Sequence, residues 1–574
     1  MSSPTNQSEL APYLNAIYSI SSNTLKLIRY LPGSEILLRY IKSSHQNDPF
    51  RTLLEILLIF FVIRTWRQSR TRGDVGTGKN FVKLTQKEID ELVLEWKPEP
   101  LVDPPLRSTQ ALSRPPIIIG PPITKPKIIY GEAAERFIQS PENEDSIDPK
   151  DIKVVLNLAS VNFAGLIGNE QVKRKAIEQL RRSGVGSCGP PGFYGTFDVH
   201  MELEQDIARF IGLQSSIIYA QGFSTTSSVI PSFSKRGDII VVDRGVNFSI
   251  QKGIQISRST IRWYDHNDSS SLEKVLEQLK LEEIKFRRKL SRKFIITEGL
   301  FESDGQLCDL PNIIKLKEKY KFRLILDETW SVGSIGKTGR GLTEYFGVPA
   351  TSVDILIGSL ATSFNSGGGF CAGSNEVVAH QRINSAALVF SAALPPLLAS
   401  AASETIKILS EEDGEERMRR LRKNISIFRD SLSSISTEGS STPLIRIPSH
   451  PDSPMLHFNL KSIEHDEQEN EKLNSSLSSN WKPKSNQNQV DLISKEDLSS
   501  FEEQEDLLQS IVDKSIKDKS ILITRTKKVW EQEIDPMLPS IRICLSAELT
   551  ENEVEEAGMK LVEVIKEVLV KPSI

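Results

Sequence analysis

From Val154 onward, short apolar runs alternate along the chain with longer stretches of helical periodicity. The runs "SSIIYA" (215–220), "DIIVVD" (238–243), "KFIITEGLF" (293–301), "FRLILDE" (322–328) and "DILIGSL" (354–360) are rich in Ile, Leu and Val and bounded by turn residues. Such runs predict buried strands. Between them, "LEQDIARFIG" (203–212) and "LPNIIKLKEKY" (310–320) carry the apolar spacing of helices. Strand–helix alternation predicts an α/β fold, a mostly parallel sheet with helices on both faces. Sites in such sheets lie at the carboxyl ends of strands. Asp243, Glu298, Asp327 and the loop 358–369 fall at such ends. Beyond Pro395-Pro396 the pattern changes to a long helical region rich in Ala, Ser and Glu. Strands follow around "PMLHFNL" (454–460) and "SIRICLSA" (540–547), then a last helix over 551–570. This predicts a large domain over 151–394 and a smaller α+β domain over 395–574. The segment 462–490 is poor in large apolar residues and rich in Asn, Ser, Glu and Lys, the composition of an unfolded surface insertion. Loop-closure cost grows slowly enough to tolerate it.

The N-terminal region reads differently. "LLEILLIFFVI" (53–63) is about eleven residues, apolar except for Glu55, whereas a spanning helix wants about 20. Arg51, Thr52, Thr65 and Trp66 extend it with side chains that snorkel or sit at an interface. Arg64, Arg67, Arg70 and Arg72 follow, which places the C-terminal side in the cytosol by the positive-inside rule. The pattern predicts a single uncleaved membrane anchor over 51–72, with a buried core helix as the alternative. Residues 1–50 hold two short amphipathic stretches (14–41) broken at Pro32-Gly33, suited to a lipid interface or a partner helix. The proline-rich stretch 98–126 excludes helix and central strand, so 73–150 is expected to be an extended strap.

Composition narrows the classes. A chain of 574 residues exceeds one ordinary core, and 38% hydrophobic with 25% charged residues is globular. A net charge of −4 offers no electrostatic case for nucleic acid. The four cysteines form no CxxC pair and the seven histidines no ligand spacing, which argues against a disulfide framework, a zinc site or metal catalysis.

Pyridoxal phosphate chemistry needs an acid for the pyridinium nitrogen, a group stacked on the ring, amides at a helix start for the phosphate, and a lysine for the aldehyde. "YAQGFSTTSS" (219–228) places Gly222, Phe223 and a row of hydroxyls at a strand-to-helix turn, a phosphate cup or an ordinary turn. "ILDETWSVGSIGKTGRG" (325–341) ends a strand on Asp327, a pyridinium partner or a helix cap. "GSLATSFNSGGGF" (358–370) then has the shape of a lysine loop without the lysine.

These segments, with "FSAALPP" (390–396), in this order, resemble the α-oxoamine synthase family of pyridoxal phosphate fold type I. Members condense an amino acid with an acyl-CoA and release carbon dioxide. By that resemblance the lysine position is Thr362, and Lys337 belongs to a different motif. Asn247 stands where relatives stack a histidine on the ring, and Trp330 replaces the histidine of the D-E-A-H motif. Within the family, "EWKPEPLV" (95–102), "GVGSCGPPGFYGTFDVHMELE" (184–204), "DRGVNFSIQKGIQISRS" (243–259) and "GGFCAGS" (368–374) are similar to the lysine-less long-chain base subunit 1 of serine palmitoyltransferases. Pro191 departs, standing where some relatives have arginine. The resemblance implies a required but non-catalytic subunit in the condensation of serine with palmitoyl-CoA. It also implies pyridoxal phosphate held mainly by a lysine-bearing long-chain base subunit 2, small activating and regulatory membrane subunits, and an endoplasmic reticulum location. It places Cys188 in an interface loop with Phe193 and Tyr194 as pocket walls, Ser391 near the neighbour's phosphate, and Arg542 where relatives bind the substrate carboxylate. A buried cysteine, core aromatics, a helix N-cap and an internal ion pair are the plain alternatives for these residues. Two rival readings stay open: a self-sufficient enzyme with a displaced lysine, and a scaffold outside any active site.

Overall fold

A computed structural model describes residues 34–68, 84–96, 115–139, 148–286, 290–433, 435, 444–460, 495–527, 533 and 538–569. The chain divides into a unit of residues 1–103 and a unit of residues 104–574.

The larger unit is built on a seven-stranded sheet. Its strands are β1 (Ser215–Tyr219), β2 (Ile239–Asp243), β3 (Thr260–Tyr264), β4 (Lys293–Glu298), β5 (Arg323–Asp327), β6 (Ile355–Ser359) and β7 (Gly369–Gly373). Their spatial order is β3-β2-β4-β5-β6-β7-β1. β7 runs antiparallel to both its neighbours, and the pairs from β3 to β6 are parallel. Each apolar run of the sequence is one of these strands. β2 is buried at every position, as a central parallel strand must be. The sheet is flanked by Gly222–Phe233, which packs on β1, β6 and β7, and by Leu310–Tyr320, which packs on β5. The second sheet has the order Ile445–Arg446, Met455–Leu460, Ile541–Cys544, Thr524–Arg525, and the helices Glu412–Ser433 and Glu551–Leu569 pack together.

Some expectations change. The large domain does not begin cleanly at 151: Leu156–Asn157 pairs with Ile521–Leu522, and Leu158 and Phe163 carbonyls accept from Cys544 and Ala547 amides. This stretch joins the C-terminal layer because the Leu156 and Leu158 amides donate to the Ser520 and Leu522 carbonyls. The strap 73–150 is not uniformly extended. Gln86–Glu95 is a helix, started by a capping box between Thr85 and Glu88. Ile117–Ile119, Lys127–Ile129 and Lys153–Val154 form a small antiparallel sheet, and Glu132–Gln139 is helical. Residues 1–33, most of the proline-rich stretch and the insertion 462–490 lie outside the described residues. The run 53–63 is helical, inside the 20-residue helix Pro49–Gln68. A spanning anchor over 51–72 is not shown: among the described residues no helix is long and apolar enough to cross a membrane. Arg51, Glu55, Arg64 and Arg67 confine its uninterrupted apolar stretch to 56–63.

Candidate functional site

Adjacent strands deliver carboxylates side by side at their carboxyl ends. Glu298 ends β4 directly opposite Asp327 of β5, and Asp243 ends β2 one strand further. Asp327 is buried, and its carboxylate is closed by its own chain. Oδ1 accepts from the Thr329 amide at 2.9 Å, and Oδ2 accepts from the Thr226 hydroxyl at 3.3 Å and the Asn247 amide group at 3.5 Å. Burial pushes the Asp327 carboxyl up, and those donors restrain the shift. Burial, then the charges of Asp327 and Glu302, push Glu298 well above the usual carboxylate range. Its oxygens accept from the backbone amides of Asn247 at 2.5 Å and Glu302 at 3.2 Å. Asn247 is engaged at both ends: Nδ2 donates to Asp327, while Oδ1 accepts from the Ile250 amide at 3.1 Å and caps the helix Phe248–Ser257.

Thr362 lies in the turn between β6 and β7. It is buried, and its hydroxyl donates to the Thr329 carbonyl at 2.7 Å. The neighbouring Ser363 packs so tightly on Gly333, which sits at φ +84°, that a Cβ there would stand 2.3 Å from the serine Cβ. Trp330 is buried under the Arg542 guanidinium, 5.7 Å from its ring centroid. The carboxylate paired with Arg542 is Glu302, at 3.9 Å. Lys337 pairs at 3.0 Å with Glu415 at the surface, so it supplies no amine here. Gly222 opens the helix Gly222–Phe233, where an added Cβ would sit 3.4 Å from Ser359 Oγ. Phe223 is exposed, 6.1 Å from the Phe248 ring.

The remaining expected residues gather elsewhere. Cys188 is exposed, with a left-handed φ of 54°, in the glycine-rich loop 184–196. Phe193 and Tyr194 are 74% and 79% exposed, so they are not core aromatics. The Ala393 amide donates to the Gly189 carbonyl at 2.9 Å and joins this loop to the segment carrying half-buried Ser391. Thus Asp327, Asn247, Thr362, Trp330 and Arg542 form one group, with Gly222 on the helix that brings Thr226. Cys188, Phe193, Tyr194 and Ser391 form another. Sequence reasoning missed Thr226 and the bond linking the two loops. Only the run of hydroxyls after Gly222 hinted at the first.

Pyridoxal phosphate is the group this constellation implies, and the residues do not fit its being held by this chain alone. No amine stands at 362, the Asp327 oxygens are taken by three internal donors, and both ends of Asn247 are spent. A glycine-opened helix and a strand-end aspartate survive, without the parts that would close on a cofactor.

The strand order and strand-end acid define a class, and the profile of the family "Aminotransferase class I and II" matches residues 153–561. The chain is 38% identical over 540 residues to serine palmitoyltransferase 1 of Saccharomyces cerevisiae, covering 92% of this chain and 91% of that one. It is 40% identical over 483 residues to serine palmitoyltransferase 1 of Dictyostelium discoideum (84% and 87% covered). It is 36% identical over 495 residues to long chain base biosynthesis protein 1 of Arabidopsis thaliana (85% and 87% covered). Among solved structures, a serine palmitoyltransferase from S. paucimobilis with bound PLP and myriocin superimposes with a TM-score of 0.62 at 18% identity, covering 85% of this chain and all of that one. The serine palmitoyltransferase of Sphingomonas wittichii gives 0.61 at 18% identity, with 85% and 97% covered. The chain belongs to the family of serine palmitoyltransferase 1 and long chain base biosynthesis protein 1, within the class I and II aminotransferases. That family is classed as acyltransferase, uses pyridoxal phosphate, and serves sphingolipid long-chain base biosynthesis.

Proposed function

We propose that this chain is the lysine-less, required subunit of a heteromeric serine palmitoyltransferase. The reaction joins L-serine to palmitoyl-CoA and yields 3-ketosphinganine, carbon dioxide and CoA. Pyridoxal phosphate supplies the electron sink for that condensation and is held by a lysine-bearing homologue, long-chain base subunit 2. The observation that carries the reading is Thr362: the position of the lysine holds a buried hydroxyl already bonded to the Thr329 carbonyl.

What this chain contributes is the joined pair of loops. Phe193, Tyr194 and Phe390 are 74%, 79% and 86% exposed. Exposed aromatics flanking a bonded pair of loops suit a protein partner rather than water. The Ser391 hydroxyl is a donor for a phosphate oxygen across that surface. The helix Pro49–Gln68 exposes apolar side chains throughout 56–63, with Trp66 and Arg64 at its end, which supports binding to a lipid surface. We assign it to the endoplasmic reticulum membrane, with the body in the cytosol and small membrane subunits as regulatory partners.

The test is purification of the tagged chain from membranes of its own cell, partner identification and a serine plus palmitoyl-CoA assay. Recovery of a lysine-bearing homologue at about one to one, with 3-ketosphinganine made only by the complex, is the expected outcome. Turnover by the chain alone overturns the reading in favour of a displaced lysine. A partner fully active without this chain would leave it a scaffold.

A further inference from the structure

The two loops expected to face the partner are held together by few bonds, and one of these runs through a buried histidine. His200 lies in the first turn of the helix Asp198–Ile211, where a capping box normally places Glu or Gln. Its Nδ1 accepts the Phe197 amide hydrogen at 3.0 Å, and its Nε2 lies 2.7 Å from the Leu394 carbonyl. A backbone amide can only donate and a carbonyl can only accept. The two bonds therefore fix one form of the ring, neutral with its hydrogen on Nε2. The Phe197 end belongs to the helix that follows the loop 184–196, and the Leu394 end belongs to the segment 390–395. The other tie between them is the bond from the Ala393 amide to the Gly189 carbonyl.

Packing does not replace this tie on the His200 side. Pro191, Thr196, Ala392, Ala393 and Leu394 border a cavity of about 370 Å³ that also opens onto His200. The Leu394 side chain also packs on Gly368 of the loop before β7, where an added Cβ would approach it to 2.9 Å. A shift of Leu394 therefore moves both the Ser391 segment and its own chain's 360–368 turn.

We propose that His200 is a positioning residue: by bonding Phe197 and Leu394 at once it sets the shape in which the loop 184–196 and Ser391 meet the cofactor of the lysine-bearing subunit. The proposal rests on the subunit reading above. The charged groups around the ring agree with a neutral imidazole. Burial holds its pKa below the usual value, opposed by the Leu394 carbonyl and by Asp198 on the same helix. Glu204, one turn on, and Arg382, from Asn375–Asn384, border the same cavity but are paired with each other at 2.7 Å. A second ring proton would set Nδ1–H against the Phe197 N–H and break the cap.

Side-chain length allows the Leu394 bond to be removed alone. In His200→Asn, the amide oxygen takes the place of Nδ1 and keeps the helix cap, but nothing reaches Leu394. In His200→Gln, the residue type a capping box uses at this position, the amide oxygen accepts from Phe197 and the amide nitrogen reaches toward Leu394, so both bonds are kept. Both are made in the complex co-expressed with the lysine-bearing subunit. Pyridoxal phosphate is removed and titrated back, followed by absorbance, and kcat and KM are measured. The Asn complex is expected to bind the cofactor about five- to tenfold more weakly, the size of one lost buried hydrogen bond, and to lose kcat with little change in KM for palmitoyl-CoA. The Gln complex is expected to match wild type. Loss of assembly in Asn but not in Gln also supports the lock, acting then on the interface itself. An Asn complex indistinguishable from wild type, or a Gln complex as impaired as Asn, overturns the proposal. Failure of the subunit reading shows up separately, with no variant at all: the lysine-bearing subunit alone would bind cofactor and turn over as well as the complex.

Discussion

Thr362 is where an amine is missing, but an amine is not the whole deficit. A lysine placed there would lose the bond that the threonine makes to the Thr329 carbonyl. The acid a cofactor would need, Asp327, is also already held by Thr226, Thr329 and Asn247. The isolated chain carrying Thr362→Lys is therefore expected to show no cofactor absorbance and nothing for borohydride to trap. Stoichiometric pyridoxal phosphate on that single variant would sink the argument that the site is closed from within. Asn247 can be tested by stability. Asn247→Ala removes a helix cap and one of the Asp327 donors, and should cost about 1–3 kcal/mol in urea unfolding of the complex. At this scale the sequence was informative where a motif supplies a register, so Thr362, Asn247 and Trp330 stood out as departures. It was silent on what the replacements do. Asn247 reaches Asp327 across 80 positions, and Arg542 settles on Trp330 across more than 200. No local pattern encodes such meetings.

Elements were legible in proportion to their burial. Four of the five apolar runs became interior strands with both faces covered, and the fifth, β1 at the sheet edge, is buried at four of its five positions. β3 and β7 were missed. β3 is an edge strand, half-buried at most positions, and its "TIRWY" carries an arginine. β7 is bounded by glycines, which read as a turn, yet one close approach explains the composition. A Cβ on Gly358 of β6 would stand 2.2 Å from the ring of Phe370 on β7, so the pairing needs a glycine there. The glycine-rich stretch after β5 is likewise an ordered wrap around Glu328. That buried carboxylate accepts from the Leu342 amide at 3.1 Å and from the Ser331 hydroxyl. Burial pushes it up to about 7, against the pull of those two donors. The unfolded chain releases this proton near the ordinary glutamate pKa of about 4.3. The folded chain keeps it until about pH 7, so the group costs stability progressively as pH rises through that interval. Glu328→Gln should therefore melt higher than wild type at pH 8 and lose that advantage at pH 5. A constant difference in melting temperature across the range would show that Glu328 does not titrate as its burial implies.

At the scale of the larger unit, a charged cluster near the strand ends ties the seven-stranded sheet to the turn between two strands of the second sheet. His266 is bonded through Nδ1 to Asp243 at 2.8 Å and through Nε2 to Asp304 at 3.2 Å. The Asp304 carbonyl in turn accepts from the Ser449 hydroxyl at 2.6 Å, and the Gly305 carbonyl accepts from the His450 amide at 3.0 Å. The end of β2, the turn before the helix Ser269–Phe286 and the second sheet thus share one support. Burial alone would lower the His266 pKa, but the charges and hydrogen bonds of Asp243 and Asp304 outweigh it and raise the value to about 10. The folded chain then holds a proton that the unfolded chain releases near pH 6.5. Between those values the unfolded state binds fewer protons, so stability falls as pH rises. The contribution is complete below about pH 6.5 and is lost as pH passes through 10. Thermal unfolding of the assembled complex should therefore weaken steadily from pH 7 to pH 10, with the turn at Ser449 and His450 loosening first by hydrogen exchange. His266→Gln keeps the ring's approximate reach without its charge. It should start less stable at pH 7 and run nearly flat over the same range. If the variant weakens with pH as steeply as wild type, the alkaline loss arises elsewhere and His266 does not titrate as its two carboxylates imply.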